Sequence, residues 1–332
     1  MRVARLHSAG VFQIHEEPVP TPSQEETLVH VTAVGVCGSD LHWFSEGGIG
    51  DARLDHPLVL GHEFAGVTPD GQRVAVDPAI ACGKCVYCLE GSPNLCENVH
   101  FAGHGSDDGA LREYVAWPTR FLFPLPSSMS DADGAMLEPL GVALYAVDLA
   151  GLRPGMRVGI FGCGPIGLLV VQLARVSGAT QIVATDKLPH RVAAALMMGA
   201  SKAILADAGH EIPEVLAASQ DRGVDVAFEV AGENDAVETA IATARPGGRV
   251  ILTGIPADDR TSFTASVARR KGLTMQLVRR MKHTYPRAIH LVEQGLIDVR
   301  SVVSHHFPLE KAADAYAVAA RREGLKIIID LR

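Results

Sequence analysis

Arg157-Val158-Gly159-Ile160-Phe161-Gly162-Cys163-Gly164-Pro165-Ile166-Gly167 is the stretch on which the fold turns. A buried-strand pattern runs straight into G-x-G-x-x-G, and residues 166–177 then read as a helix. In such a turn Gly162 permits the tight bend, Gly164 lets the backbone approach a pyrophosphate, and Gly167 lets helix and strand pack closely. Unpaired N–H groups at the helix start, from Ile166 onward since Pro165 has none, favour the anion, and Pro165 lies against it. Asp186 closes the next strand (181–185), 19 residues beyond Gly167. An acid there hydrogen-bonds the ribose hydroxyl pair and repels a 2′-phosphate. The reading is a dinucleotide fold that prefers NAD to NADP, with Lys187 and Arg191 pulling the other way. A glycine turn with no ligand is the plain alternative.

Downstream, strand and helix keep alternating: a helix to about Met198, then strands at 202–205, 224–230 and 249–253. Such alternation calls for a parallel sheet covered by helices on both faces. Upstream, residues 1 to about 140 hold Pro, Gly and short β-branched runs, as at 27–34, 71–76 and 111–116, the pattern of an irregular β domain. After about 285 come a helix, a strand at 299–305, a helix at 309–321 and a strand at 326–330. Whether that tail returns to the first domain is open at this level.

A chain of 332 residues suggests about two domains. With 47% hydrophobic and 20% charged residues it is ordinary globular material. A net charge of −8 and a pI near 5.9 argue against a nucleic-acid binder, which needs a basic face. No polybasic amphipathic helix suggests a membrane surface, and the longest apolar run, 166–174, is broken by Gln172 and too short to span a bilayer. The first residues lack the apolar core of a secretory signal, so the expectation is a cytoplasmic protein.

Six cysteines are too few for a disulfide scaffold. Cys82, Cys85, Cys88 and Cys96 crowd four thiols into fifteen positions, a spacing that suits tetrahedral zinc. Four thiolates leave no open position, so this is read as a structural zinc pinning a lobe near 82–96, with disulfides as the bland alternative. Apart from these and Cys163, only Cys37 remains, within Gly35-Val36-Cys37-Gly38-Ser39-Asp40-Leu41-His42-Trp43. Gly61-His62-Glu63-Phe64 and Leu137-Glu138-Pro139 follow it. Cysteine, histidine and carboxylate make a catalytic zinc set when one position stays open, but spacing alone fits a buried thiol and a core histidine equally well.

Together these segments resemble the zinc-dependent medium-chain dehydrogenase/reductase family, most of all its polyol branch, the sorbitol and xylitol dehydrogenases. The resemblance runs end to end, through Cys37 to His42, Gly61 to Glu63, the four-cysteine lobe, Leu137 to Leu140, Gly162 to Gly167 and His306 to Ala312. It implies an α/β protein: a chaperonin-10-like (GroES-like) β catalytic domain, residues 1–141 and 285–332, and a Rossmann doubly wound parallel sheet, residues 142–284. It implies that Cys37 and His62 bind a catalytic zinc, with Glu63 and Glu138 as ligands or holding its water, and Asp40 orienting His62.

Ser39 and His42 would relay the proton, although each also reads as a turn hydroxyl or a loop-capping histidine. Trp43, Glu138 and Arg280 would meet substrate, but Trp43 and Met281 stand where the sorbitol enzymes carry tyrosine, and both changes lose a hydroxyl. The hairpin Val67-Thr68-Pro69-Asp70 is shorter than in relatives. Gly254 and Ile255 would touch the nicotinamide end and Arg191 the adenosine ribose, against plain readings as turn glycine, core isoleucine and surface cation. The implied activity is NAD-dependent oxidation of a polyol's secondary hydroxyl to a ketose, by a homodimer or homotetramer. A simple secondary alcohol, 2,3-butanediol or L-threonine are the alternative substrates. A non-catalytic dinucleotide-binding protein is the alternative of another class.

Overall fold

Val158, Ile160 and Phe161 are at most 1% exposed because their strand has sheet neighbours on both sides. The computed structural model describes residues 1–331 and divides into two units, 140–284 and 1–139 with 285–331. The first unit holds strands β1 (Arg157–Phe161), β2 (Gln181–Asp186), β3 (Lys202–Leu205), β4 (Val224–Glu229), β5 (Ala244–Leu252) and β6 (Thr274–Leu277). They lie in the order 3-2-1-4-5-6, every pair parallel. Near-continuous apolar strands suit this arrangement, since both faces are covered. The order reverses between β1 and β4, the switch point at which such sheets bind ligands beyond the strands' carboxyl ends.

Helices α1 (Pro165–Val176), α2 (Pro189–Met197), α3 (Ile212–Ala218), α4 (Asn234–Thr243) and α5 (Ala265–Lys271) connect the strands. Proline at the first position of α1 supplies a preset φ where no donor is needed. Two boundaries differ from expectation here. Helix α1 starts one residue early, at that proline. Strand β5 starts at Ala244, ahead of the turn-like Pro246-Gly247-Gly248, because Ala244 pairs with Val224 before a bulge.

The other unit is built on the strand Glu26–Gly35. Glu63–Val67 pairs with it antiparallel, and Arg73–Val76 and Leu122–Pro124 extend the sheet on that side. Tyr114–Pro118 pairs with the strand's first half; the run expected at 111–116 begins later. The tail does return. Lys326–Asp330 adds antiparallel to Glu26–Gly35, placing Ile328 opposite Gly35, and Val303–Pro308 lies parallel outside it. The strand expected at 299–305 is therefore shifted, since Arg300–Val302 forms a 3₁₀ turn whose Arg300 is bonded to buried Asp133. The core includes Val3, Leu6, Val31, Phe64, Val76 and Tyr316. Among the described residues no helix is long and apolar enough to cross a membrane.

Candidate metal centre and dinucleotide turn

Cys37 sits just past the strand Glu26–Gly35 and caps the helix Gly38–Glu46. In that helix's first turn Asp40 accepts the backbone N–H of Cys37 through Oδ2 (3.3 Å), while Oδ1 lies 3.1 Å from Nδ1 of His62. The buried Tyr316 hydroxyl donates to Oδ2 as well, at 3.4 Å. Asp40 thus ties the cysteine loop to His62 and engages Nδ1, leaving Nε2 as the metal-facing nitrogen. Glu63 follows His62 and stands opposite Gly35 in the ladder. The ligand atoms of Cys37, His62 and Glu63 lie within 4.8 Å of one another.

Lys326 completes this centre, and sequence reasoning missed it. Its ammonium donates to Glu63 Oε1 at 2.6 Å, with the two side chains 3% and 1% exposed. Gly35 makes room for the pair, because a Cβ there would overlap the Glu63 carboxylate and come within 3.1 Å of Lys326 Cε. Burial pulls the Lys326 pKa down, but Glu63 and Cys37 outweigh it and keep the ammonium charged. The signal was a lone lysine opening the otherwise apolar Ile327-Ile328-Ile329.

Glu138 enters from the first turn of the helix Leu137–Ala150 and is 5% exposed. It is not part of the 4.8 Å cluster. Burial pushes its carboxyl up to about 7; His62 and Lys326 pull it down and Glu63 adds to the rise. Burial also lowers His62, but Asp40 and Cys37 outweigh that and hold its pKa well above the ordinary value. A proton therefore binds tightly at a site of N, S and O donors surrounded by acids. That donor set fits a divalent ion such as zinc, which would displace the proton.

The remaining residues expected here lie on the same helix, Gly38–Glu46. Ser39 is half-buried. His42 Nδ1 lies 3.2 Å from Glu46 Oε1, one turn along. Trp43 is 1% exposed and lies in the core, edge-on to His104 with ring centroids 5.5 Å apart.

In the cysteine lobe, Cys82 and Cys88 have sulfurs 4.0 Å apart, and Cys85 and Cys96 3.9 Å. A tetrahedron of ~2.3 Å zinc–sulfur bonds has edges of about 3.8 Å, whereas a disulfide needs ~2.05 Å. All six cysteines are free thiols, so the disulfide alternative falls. Backbone N–H groups of Lys84 and Cys85 bring Cys82 down to about 6, while desolvation raises Cys88 to about 12.

In the other unit, each glycine of the turn has a distinct reason. Gly162 has φ +109°, and a Cβ there would sit 2.8 Å from the Ala231 nitrogen. A Cβ on Gly167 would overlap the Gly162 carbonyl. At Gly164 a Cβ would meet only Arg191 Nη1, at 3.7 Å, so the space over it is open for a pyrophosphate. Arg191 is thus part of the turn's surroundings rather than a remote surface cation. Asp186 faces the turn: Oδ2 accepts the Cys163 N–H at 2.7 Å and Oδ1 that of Leu188 at 2.9 Å. Burial and Asp186 push the Cys163 thiol far up, so it stays protonated and unreactive.

Ile255 is 49% exposed, which removes its reading as a core residue. Gly254 is needed because a Cβ would overlap the Gly232 backbone; Glu229 fixes that loop by accepting the N–H groups of Ala231 (2.8 Å) and Gly232 (2.7 Å). Arg280 follows β6 and is half-buried with φ +53°.

Comparison with known proteins gives two family-profile matches, an alcohol dehydrogenase GroES-like domain over residues 23–127 and a zinc-binding dehydrogenase over 165–294. The chain is 35% identical to sorbitol dehydrogenase of Bacillus subtilis, covering 99% of this chain and 97% of that one. It is 31% identical to L-threonine 3-dehydrogenase of Bacillus licheniformis, covering 94% and 93%. A Sinorhizobium meliloti structure bound to NADP superposes with a TM-score of 0.90 at 30% identity, over 99% of each chain.

Proposed function

Since the chain belongs to the zinc-dependent medium-chain dehydrogenases and is polyol-dehydrogenase-like, we propose that it oxidises a secondary hydroxyl of a polyol to a ketone, with NAD as hydride acceptor. The observation that carries the reading is the Cys37–His62–Glu63 set, a half-buried thiol beside a buried histidine and glutamate. Zinc held there would supply Lewis acidity, of the kind that lowers the pKa of bound water from 15.7 to ~7. NAD would supply the hydride acceptor.

The chain's own residues do the rest. Asp40 holds His62 in the tautomer and orientation a metal needs. Glu138, whose carboxyl burial pushes up in the metal-free centre, is placed to take a proton or hold a water. Ser39 and His42 offer a second exit for the proton. Gly164 and the α1 amides receive the pyrophosphate, and the Asp186 carboxylate favours a ribose with free hydroxyls, hence NAD. Arg191, Gly254 and Ile255 border the cofactor and Arg280 the substrate, whereas Trp43, expected to meet substrate, is a core residue at 1% exposure and makes no such contact.

The four cysteines hold a structural zinc. Residues 1–141 with 285–332 form the catalytic domain and 142–284 the cofactor domain. The enzyme acts in the cytoplasm as a homodimer or homotetramer, by analogy with its family; the acidic composition speaks against a nucleic-acid partner, and among the described residues no helix is long and apolar enough to cross a membrane.

The test is NAD and NADP reduction by purified protein over sorbitol, xylitol, galactitol, L-threonine, 2,3-butanediol and simple alcohols, before and after chelation and zinc restoration. Zinc-dependent turnover of polyols with NAD is expected. Turnover confined to threonine or simple alcohols would move the substrate class. Silence throughout, with cofactor bound, would favour the non-catalytic alternative.

A further inference from the structure

Asp186 shares the carboxyl end of β2 with two nearby cations, Lys187 and Arg191. An acid at that end selects a ribose with free hydroxyls, whereas a basic side chain nearby accommodates a 2′-phosphate. What the two cations face therefore decides how far the preference set by Asp186 holds. Every group concerned lies within the unit 140–284.

Lys187 is engaged from across the sheet. Its ammonium donates to Oε2 of Glu233, and Oδ2 of Asp235 lies 4.0 Å from it. Lys187 follows β2, whereas Glu233 comes after β4 and caps the start of α4. Those two strands flank β1 on either side, so the ion pair crosses the carboxyl end of β1, beyond which the glycine turn lies. The span is two strand spacings, ~10 Å, across the switch point where such a sheet takes its dinucleotide.

Glu233 is not spent on its own helix, since its side chain accepts no capping hydrogen bond from α4. Glu229 anchors the loop that carries it, through the N–H groups of Ala231 and Gly232. At 47% and 28% side-chain exposure the Lys187–Glu233 pair adds little to stability, so its removal leaves the fold intact. Arg191 stands apart, over Gly164, where a Cβ would meet its Nη1 at 3.7 Å. A phosphate brought to this end would meet three carboxylates, Asp186, Glu233 and Asp235, against Lys187 and Arg191. Without Glu233 and Asp235 the balance reverses.

We propose that Glu233, helped by Asp235, is a specificity-determining residue for the cofactor. It holds the Lys187 ammonium across the crevice and so withholds from a 2′-phosphate the cation next to Asp186. The inference rests on the NAD reading and adds to Asp186 a second acid, delivered by the other strand beside β1.

The test reads binding rather than turnover. Calorimetry of 5′-AMP and of adenosine 2′,5′-bisphosphate is run on the zinc-loaded wild type, on Glu233→Gln/Asp235→Asn, and on that variant with Lys187→Met added. The ratio of the two dissociation constants should move toward the bisphosphate by about tenfold or more in the double variant, the scale of one charge-assisted hydrogen bond. NADPH against NADH, followed by fluorescence, should move the same way, and Glu233→Gln alone should move both ratios in that direction. The gain should shrink at about 1 M salt, where the Debye length falls to about 3 Å, and should vanish once Lys187→Met is added. Melting curves check that each variant is folded. An unchanged ratio in the double variant overturns the proposal, and so does a gain that survives Lys187→Met. A wild type that already prefers the bisphosphate overturns the NAD reading instead, and the shift between wild type and variant still judges the proposal by itself.

Discussion

Lys326 and Glu63 bond across 263 positions of sequence, inside the candidate metal centre. That ammonium neutralises the Glu63 carboxylate, as a divalent ion bound at the proposed site would. Lys326→Met should therefore cost the metal-free protein about 3–5 kcal/mol, the penalty for leaving a buried charge without its partner. Zinc restores a cation next to Glu63, so the loss should be distinctly smaller in the loaded form. Denaturant titrations of both forms measure this, and equal losses would show that the lysine does not share its role with the metal. Asp40 differs in kind: the family resemblance implied it as the partner of His62, and the helix capped by Cys37 delivers it there. Lys326 was not legible, because its significance appears only when a distant strand pairs beside Gly35.

At the scale of elements, the turn between β1 and α1 separates two kinds of glycine. Gly167→Ala forces a methyl into the Gly162 carbonyl and should cost about 1–3 kcal/mol or more, as other overpacking does. Gly164→Ala meets open space in the folded chain, so thermal unfolding should barely move while NADH affinity falls by roughly tenfold or more as the methyl enters the pyrophosphate's place. Fluorescence titration with NADH and a melting curve check both; equal stability losses would count against the division. The alternation of β1 to β5 with helices was legible because those strands are largely apolar and each turn carries glycine or proline, whereas β6, Thr274–Leu277, was missed because it is short and half polar. Boundaries were less so. Arg300–Val302 is held as a 3₁₀ turn by a side-chain bond to Asp133, 167 positions away, which local composition does not encode.

For the whole molecule, the parallel-sheet unit is one uninterrupted stretch and the unit that holds Cys37, His62 and Glu63 is two. Residues 140–284 expressed alone should fold cooperatively and bind NADH. Residues 1–139 without 285–332 should not fold, because Glu26–Gly35 loses a strand neighbour and Glu63 its counter-charge. Circular dichroism and NADH titration of the fragments decide; a folded 1–139 fragment would show that the returning strand is dispensable. The two-domain reading was legible from texture alone, since short β-branched runs give way to regular alternation near residue 150. The return of the tail was not, because 326–330 is an apolar strand that would satisfy either sheet.

That return also sets a schedule. A ribosome makes Cys37, His62 and Glu63 early and Lys326 after every one of them. At about 5–20 residues per second, the interval between Glu63 and its counter-ion is roughly 13 to 50 s. During that wait Glu63 has no ammonium beside it, and the strand Glu26–Gly35 lacks the neighbour that later brings one.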